Sequence, residues 1–431
     1  MQDVFNELTW RGLIHQTTDD ENLAAWLAER PRTVYAGFDP TADSLHVGHL
    51  MALMILRRFQ QAGHRPIAVV GGATGMIGDP SGRSEERNLL SLDDLRRNVD
   101  SIEGQLRRFL DFDATENPAL LVNNHDWMGP WSYLEFLRDV GKHFPVNVML
   151  AKDSVRSRLE RTDAGLSYTE FSYMLLQAYD FVQLYDQHQC EIQVGGSDQW
   201  GNITAGIDLA RRMRGPDLQL QGITCPLLTK SDGQKMGKTA SGALWLDARR
   251  TSPYQFYQYW INLDDADVGT CLRFFTDLDQ PAIERTLAEH TADPGQRTAQ
   301  RTLAEQLTQL VHGDEGLEIA RRATEIFFGA EIDQLSDEQL AGIFADVPSS
   351  EVTRDQLEGE GLPIVDGLAA AGGAKSKGEA RRAVQQGGAY VNNRRVEGID
   401  RRLTTADLVG GTTIVLRTGK KRYALLRLST P

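Results

Sequence analysis

Cysteine is scarce in this chain. Its three thiols, Cys190, Cys225 and Cys271, stand far apart among 431 residues. That spacing excludes a cluster of paired zinc-binding cysteines and a disulfide framework, and three buried or semi-buried thiols in a reducing compartment are expected instead. Long apolar runs are missing too. With no stretch of about eighteen apolar residues, no membrane-spanning helix is expected. The segment Met1–Trp10 lacks a basic stretch followed by an apolar one, so no signal peptide is expected, and a cytoplasmic location is. Internal repeats are absent. Positive charge is also short, with a net charge of −14, which over the whole chain speaks against a nucleic-acid partner.

What is present changes that last reading. From Lys375 onward, thirteen Lys and Arg face four Asp and Glu, a net of +9, so the rest of the chain holds −23. An acidic body with a basic tail points to an anionic partner for the tail. Hydrophobic residues make up 41% and charged residues 25%, as in globular proteins. The length exceeds one ordinary core and predicts roughly two to four domains.

Strand and helix signals alternate through the first half. Thr33–Phe38, Ile67–Val70, Leu120–Val122 and Glu191–Val194 are short apolar runs, whereas Leu50–Gln61, Leu95–Leu110 and Gln199–Met213 have helical periodicity. Such units predict a Rossmann-like, doubly wound parallel sheet covered on both faces, an α/β domain over residues 1–247. The stretch 124–165 is less regular and reads as an insertion. Beyond residue 248 the strand signals stop. Helices are predicted over Pro253–Trp260, Val268–Phe275, Pro281–Glu289, Gly295–Val311 and Glu315–Phe327, giving an α-helical domain over 248–330. Residues 331–361 are acidic, contain Pro348-Ser349-Ser350, and read as a linker. Residues 362–431 form a small basic α+β unit, with a helix over Ser376–Gln386 and strands at Ala389–Val391, Thr413–Arg417 and Arg422–Arg427.

Two short segments carry chemistry. Asp39-Pro40-Thr41-Ala42-Asp43-Ser44-Leu45-His46-Val47-Gly48-His49 follows a strand and opens a helix, where backbone N–H groups favour anions. His46 and His49 share one face of the first turn and can hold the phosphates and ribose of ATP. Gly48 lets an adenine ring approach the backbone. Two histidines that merely cap a helix would look the same. Lys230 to Thr239 follows the apolar run Ile223–Leu228 and combines Gly233 and Gly237 with Lys230, Lys235 and Lys238. Two lysines closing on a triphosphate stabilise charge that grows on departing pyrophosphate. A solvated basic loop is the plain alternative. The two segments lie 189 residues apart, each after a strand of one predicted sheet, and such sheets bind ligands at strand carboxyl ends. A third feature is a helical stripe: Tyr173, Gln177 and Asp180 fall at i, i+4 and i+7, opposite apolar Met174, Leu175, Ala178, Phe181 and Val182.

His46-Val47-Gly48-His49 resembles the HIGH signature of class I aminoacyl-tRNA synthetases, and Lys235-Met236-Gly237-Lys238-Thr239 resembles their KMSKS signature. Val47, Gly237 and Thr239 depart from the usual residues. Between and around these signatures the chain is similar to the bacterial tyrosyl branch. The stretches that carry this are Tyr35–Thr41, Gly71–Arg83, Tyr168–Tyr173, Gln177–Phe181 and Gln193–Asn202, and the resemblance covers nearly the whole chain. It implies activation of L-tyrosine with ATP and transfer to tRNA(Tyr). It implies that Tyr35 and Asp180 take the phenol, that Asp79, Tyr173 and Gln177 take the α-amino group, and that Gln199 lies near the carboxylate. Gly37, Asp39, Thr41, His46, Gly48, His49, Gly196, Asp198 and Lys238 would contact ATP, with Asp198 and Gly196 at the ribose. Arg83 and Arg87 would reach pyrophosphate with Lys235 and Lys238. Mg²⁺ would travel with ATP, with no tightly bound cofactor and no dedicated metal cage. A homodimer is implied, with its interface in the insertion, where Trp127, Trp131, Tyr133, Phe136, Leu137, Phe144, Val146 and Val148 are candidates.

The basic unit resembles an RNA-binding fold shared with a small-subunit ribosomal protein, through Lys375–Arg382 and Gly387–Asn392. Lys375, Lys377, Arg381 and Arg382 are its candidate phosphate contacts. Three rivals stand beside this reading. One is a tryptophanyl relative, which shares both signatures but has no need of a Tyr35–Asp180 pair. The others are a catalytically idle RNA-binding protein on the same scaffold and a small-molecule adenylyltransferase.

Overall fold

The computed structural model describes residues 3–81, 90–152, 155, 156, 159, 165–239, 242–332, 335–345 and 347–429. These residues gather into two compact units. The first joins Met1–Thr251 with Trp260–Val311, and the second joins Ser252–Tyr259 with His312–Pro431.

A six-stranded sheet organises the first unit. Its strands are β1 (Gln16–Thr17), β2 (Thr33–Phe38), β3 (Arg65–Val70), β4 (Leu120–Asn123), β5 (Cys190–Gly196) and β6 (Gln221–Cys225). Their spatial order is β1-β6-β5-β2-β3-β4. Strands β2 to β6 run parallel, and only β1 is antiparallel. Parallel strands buried on both faces are apolar along their buried length, and β3 is so from Pro66 to Val70, all buried. The helix Val47–Gln61 packs against β2, β3 and β5, while Tyr168–His188 and Trp200–Arg214 pack against β5. Tyr35, Ile67 and Val69 share one core with Phe181, Val182 and Ile203. The expected doubly wound sheet is therefore the one that forms.

Strand order decides where a ligand can sit. From β2 the chain proceeds to β3 and β4 on one side, and β5 and β6 lie on the other. The carboxyl ends of β2 and β5 thus flank a switch point, where connecting loops part and leave a crevice.

Past the sheet the predicted helices are present as Pro253–Ile261, Asp265–Phe275, Gln280–Ala292 and Thr298–Phe327. The last holds two of the expected helices, parted at Gly313, whose φ of 75° and ψ of −177° are not helical.

The expected linker needs correction, because much of 331–361 is structured. Ser336 and Gln339 form a capping box for the helix Asp337–Ile343. Ser349–Val352 pairs in parallel with Arg422–Leu428 and completes a five-stranded sheet with the basic unit. Leu340, Ile343, Phe344, Val352 and Leu357 are the reason. These apolar side chains, scattered through an acidic segment, all reach the cores of the second unit.

Candidate active site

A cavity of about 560 Å³ lies at the switch point, within the range of small-molecule sites. Tyr35, Gly37, Asp39, Thr41, His46, Gly48 and His49 line it from β2 and its helix. Asp79, Tyr173, Gln177, Asp180, Gly196, Asp198, Gln199, Lys235 and Lys238 complete it. Arg83 and Arg87 lie outside the described residues. Lys375, Lys377, Arg381 and Arg382 are elsewhere, in the second unit, exposed on or beside the helix Lys377–Gln385. Lys377 there pairs with Asp366 at 2.8 Å.

The two histidines cap their helix and face the cavity at once. The His46 Nδ1 accepts from the Gly48 amide at 3.0 Å, and the His49 Nδ1 accepts from the His46 amide at 3.1 Å. An imidazole nitrogen that accepts carries no proton, so each neutral ring holds its proton on Nε2. The rings stack with centroids 4.0 Å apart. A Cβ on Gly48 would meet the His46 ring at 2.8 Å, so glycine is required here for the cap itself.

A short strap ties the two signature segments together. The Val47 amide donates to the Leu244 oxygen at 3.0 Å, and the Leu244 amide donates to the Gly237 oxygen at 2.7 Å. The Leu246 amide donates to the Leu45 oxygen, and His46 bridges Trp245. Trp245 lies edge-on to His46, with centroids 6.0 Å apart, and carries the Arg250 guanidinium over its ring at 4.6 Å. Arg250 in turn pairs with Asp43. Gly237 has φ of +83° and abuts Val47. A serine at this left-handed position would be strained. Met236 is buried, its sulfur 3.5 Å from the Cys271 thiol.

At the most buried part of the cavity stand Tyr35 and Asp180, 2% and 4% exposed. The Tyr35 hydroxyl has no hydrogen-bond partner among the described residues. Asp180 accepts from Asn124 Nδ2 at 3.0 Å and from Trp127 Nε1 at 2.7 Å. Burial raises its pKa to about 7, the charge of Asp39 adds to the rise, and the two donors resist it. Burial also holds the Tyr35 and Tyr173 phenols well above their ordinary value, so both remain O–H donors.

A hydrogen-bonded chain runs alongside. Tyr173 donates to Asp39 at 2.9 Å, and Thr74 donates to the same carboxylate at 2.7 Å. Gln199 donates to Asp79 at 2.6 Å, Gln177 donates to Gln199 at 3.2 Å, and Asn202 donates to Gln177 at 2.9 Å. The helical stripe at 173, 177 and 180 is thus turned inward, away from solvent. Asp198 is held above its ordinary range, first by desolvation and then by Asp79, against the pull of Lys235. The site has an acidic half, suited to an ammonium group, and a half of N–H donors and lysines, suited to phosphate.

Sequence reading missed Asn124 and misplaced Trp127. Asn124 follows β4 directly, a strand-end position where ligand residues collect, and that was the available signal. Trp127, expected at a dimer interface, is instead buried with its indole spent on Asp180. Trp131, Phe136 and Phe144 likewise pack against the core. Tyr133, Val146 and Val148 are exposed. All three cysteines are buried and free. Cys225 lines the cavity, its thiol pushed up to about 12 by burial. Among the described residues no group of three or more His, Cys, Asp or Glu is placed to hold a metal ion, and no helix is long and apolar enough to cross a membrane.

This sheet, switch point and pair of strapped signatures are those of class I aminoacyl-tRNA synthetases. A family model described as tRNA synthetases class I (W and Y) matches residues 27–329. A second, described as tyrosine–tRNA ligase SYY-like C-terminal domain, matches residues 339–426. The tyrosine–tRNA ligase of Rhodopirellula baltica is 62% identical over 99% of this chain and 96% of its own length, and that of Roseiflexus castenholzii is 52% identical over 99% and 100%. A C-terminally truncated mitochondrial tyrosyl-tRNA synthetase of Aspergillus nidulans superposes with a TM-score of 0.68 at 32% identity, covering 76% of this chain and 95% of that one. The tryptophanyl-tRNA synthetase of Plasmodium falciparum, at 14% identity and a TM-score of 0.51, shares the fold alone. The chain belongs to the tyrosine–tRNA ligase family of the class I synthetases.

Proposed function

We propose that the cavity carries out both steps of tyrosine–tRNA ligation with the residues that line it. In the first step the tyrosine carboxylate attacks the α-phosphorus of ATP. The bond to the β-phosphate oxygen breaks, and pyrophosphate leaves. In the second, a terminal ribose hydroxyl of tRNA(Tyr) attacks the tyrosyl carbonyl and AMP leaves. No side chain has to act as a nucleophile, so the work of the protein is positioning and charge stabilisation.

The observation that carries this reading is the buried Tyr35–Asp180 pair. A hydroxyl without a partner beside a carboxylate with spare acceptor capacity suits a phenol, which both donates and accepts. Tryptophan offers a donor only. Asp79, Tyr173 and Gln177 would take the ammonium group, with Asp39 holding Tyr173 in place and Gln199 near the carboxylate. Gly196 and Asp198 would meet the ribose, and Gly37 and Gly48 the adenine side. Thr41, the Nε2–H groups of His46 and His49, Lys235 and Lys238 would hold the phosphates, together with Arg83 and Arg87. Mg²⁺ would arrive with ATP as part of the co-substrate. Exposed Tyr133, Val146 and Val148 suit a homodimer interface, the basic unit suits RNA phosphate through Lys375, Lys377, Arg381 and Arg382, and the cytoplasm is the compartment expected.

Pyrophosphate exchange with each of the twenty amino acids tests the assignment. Tyrosine should support exchange far better than any other. Better exchange with tryptophan or phenylalanine would overturn it.

A further inference from the structure

The five-stranded sheet of the second unit carries a row of side chains that tyrosine activation does not use. Arg395 and Tyr390 are register partners, as are Tyr390 and Arg417, and Arg417 and Tyr423. Register partners on adjacent strands share a face, so four strands present Arg395, Tyr390, Arg417 and Tyr423 in line. The Arg417 guanidinium lies 3.8 Å from the Tyr390 ring centroid and 5.7 Å from that of Tyr423, and its Nε is buried without a hydrogen-bond partner. The opposite face of the same strands, with Ile414, Leu416, Ala424 and Leu426, is core.

The two ends of the row differ. Tyr423 is 5% exposed, its hydroxyl within 3.0 Å of the Ile326 oxygen and its ring edge-on to Phe327. That end belongs to the core. At the other end Arg395 is exposed, Tyr390 and Arg417 are half-buried, and the strand Arg394–Arg395 is the edge of the sheet. The Arg395 guanidinium lies against Gly387. Gly387, at φ of +67°, lies so close that a Cβ there would meet the Arg395 Nη2 at 1.6 Å. Beside this end is a cavity of about 720 Å³, lined by Arg394, Arg395 and Arg401 and also by Glu397 and Asp407, of which Asp407 pairs with Arg401.

We infer that the Arg395–Tyr390–Arg417 end of this row is a stacking platform for an unpaired base of the RNA, with the flanking phosphate in the adjoining arginine-lined cavity. Alternating rings and guanidinium planes offer flat faces that any base can stack on. The net +9 of residues 375–431, which supply this end of the sheet, favours a polyanion. This rests on the reading of the second unit as RNA-binding. It adds a contact of a different physical kind from Lys377, Arg381 and Arg382, because stacking releases no counterions.

Salt dependence separates the two kinds. Binding of unmodified tRNA(Tyr) transcript to the full-length protein is measured over a range of salt concentrations. Three variants are compared with the parent: Tyr390→Leu, Tyr390→Phe and the double change Arg381→Ala with Arg382→Ala. Thermal unfolding and tyrosine-dependent pyrophosphate exchange check that each variant is folded. Tyr390→Leu should weaken binding by about 5- to 150-fold, the range for one stacked base, and leave the slope of log affinity against log salt unchanged. Tyr390→Phe should bind like the parent. The arginine double variant should flatten the slope by about 1 to 2. Unchanged affinity in a folded Tyr390→Leu protein overturns the platform, as does a Tyr390→Phe loss equal to that of leucine. If instead Tyr390→Leu unfolds the unit, Arg395→Met tests the same end, and parental affinity there also overturns the platform. If the arginine variant leaves both affinity and slope unchanged, the reading of the second unit as RNA-binding through that helix fails. Equal competition by polyglutamate, independent of Tyr390, would point to an acidic peptide and overturn the platform.

Discussion

The two ends of the active-site cavity are built by different means. At the buried end the two carboxylates are fixed by side-chain hydrogen bonds, Asn124 and Trp127 on Asp180 and Tyr173 and Thr74 on Asp39, while the Tyr35 hydroxyl is left unpartnered among the described residues. At the exposed end position is set by backbone. Gly237, Leu244 and Val47 form one run of main-chain bonds, and Lys235 and Lys238 extend from it into solvent. The buried end should therefore discriminate by the cost of leaving polar atoms unpaired. The exposed end should act through charge that matters only when pyrophosphate forms.

The sharpest break is Asp180→Ala. It strands the Asn124 and Trp127 donors and removes the acceptor for the phenol, so tyrosine-dependent pyrophosphate exchange should fall by at least about a hundredfold. The loss should appear in tyrosine affinity as well as in rate. Exchange kinetics that lose rate alone would show that the buried end does not bind the phenol.

Lys238→Ala should do the reverse. Adenylate formation, followed in single-turnover experiments, should slow by about 10² to 10³, while tyrosine affinity without ATP stays within about twofold. An unchanged rate constant would remove this lysine from the pyrophosphate site.

Trp245→Ala removes the ring that packs edge-on to His46 and leaves the main-chain bonds of the strap in place. Adenylate formation should slow by roughly ten- to a hundredfold through misplacement of His46, and Trp245→Phe should restore most of it. If Trp245→Ala instead raised KM for tyrosine with kcat intact, the strap would not separate the two ends.

The smallest effect concerns pH. Asp180 has a folded-state pKa of about 7 against an ordinary 3.8. Its ionisation costs stability above about pH 7, and the cost is relieved as the pH falls toward 4. The parent should therefore gain stability relative to Asp180→Asn between pH 8 and pH 5.5 in urea unfolding without tyrosine. A tyrosine hydroxyl donated to the carboxylate favours the ionised form, so tyrosine affinity by calorimetry should fall over the same interval. A flat affinity profile would place the phenol elsewhere.

A domain boundary before Leu362, as the composition suggests, would separate Ser349–Val352 from its partner strand Arg422–Leu428. Acidic composition hid this strand, because its pairing depends on a segment some seventy residues away that no local pattern reveals.

Local pattern was sufficient elsewhere. The limits of β2, Thr33–Phe38, and the break between the last two helices near Gly313 follow from apolar runs and a glycine. The signatures His46–His49 and Lys235–Thr239 were legible because each is contiguous and follows a strand. The inward turn of Tyr173, Gln177 and Asp180 followed from helical period only in part, since a polar stripe faces solvent just as readily. Folding decided that it meets Asp39, Gln199 and Asn124. The same holds for the role of Trp127, for the strap through Trp245, and for the Arg395–Tyr390–Arg417 row. Sequence by itself determined which residues could do chemistry, because residue type and local spacing are written there. Only the tertiary structure decided which of them share a dielectric environment and a hydrogen bond, because those depend on strand order and packing across distant segments.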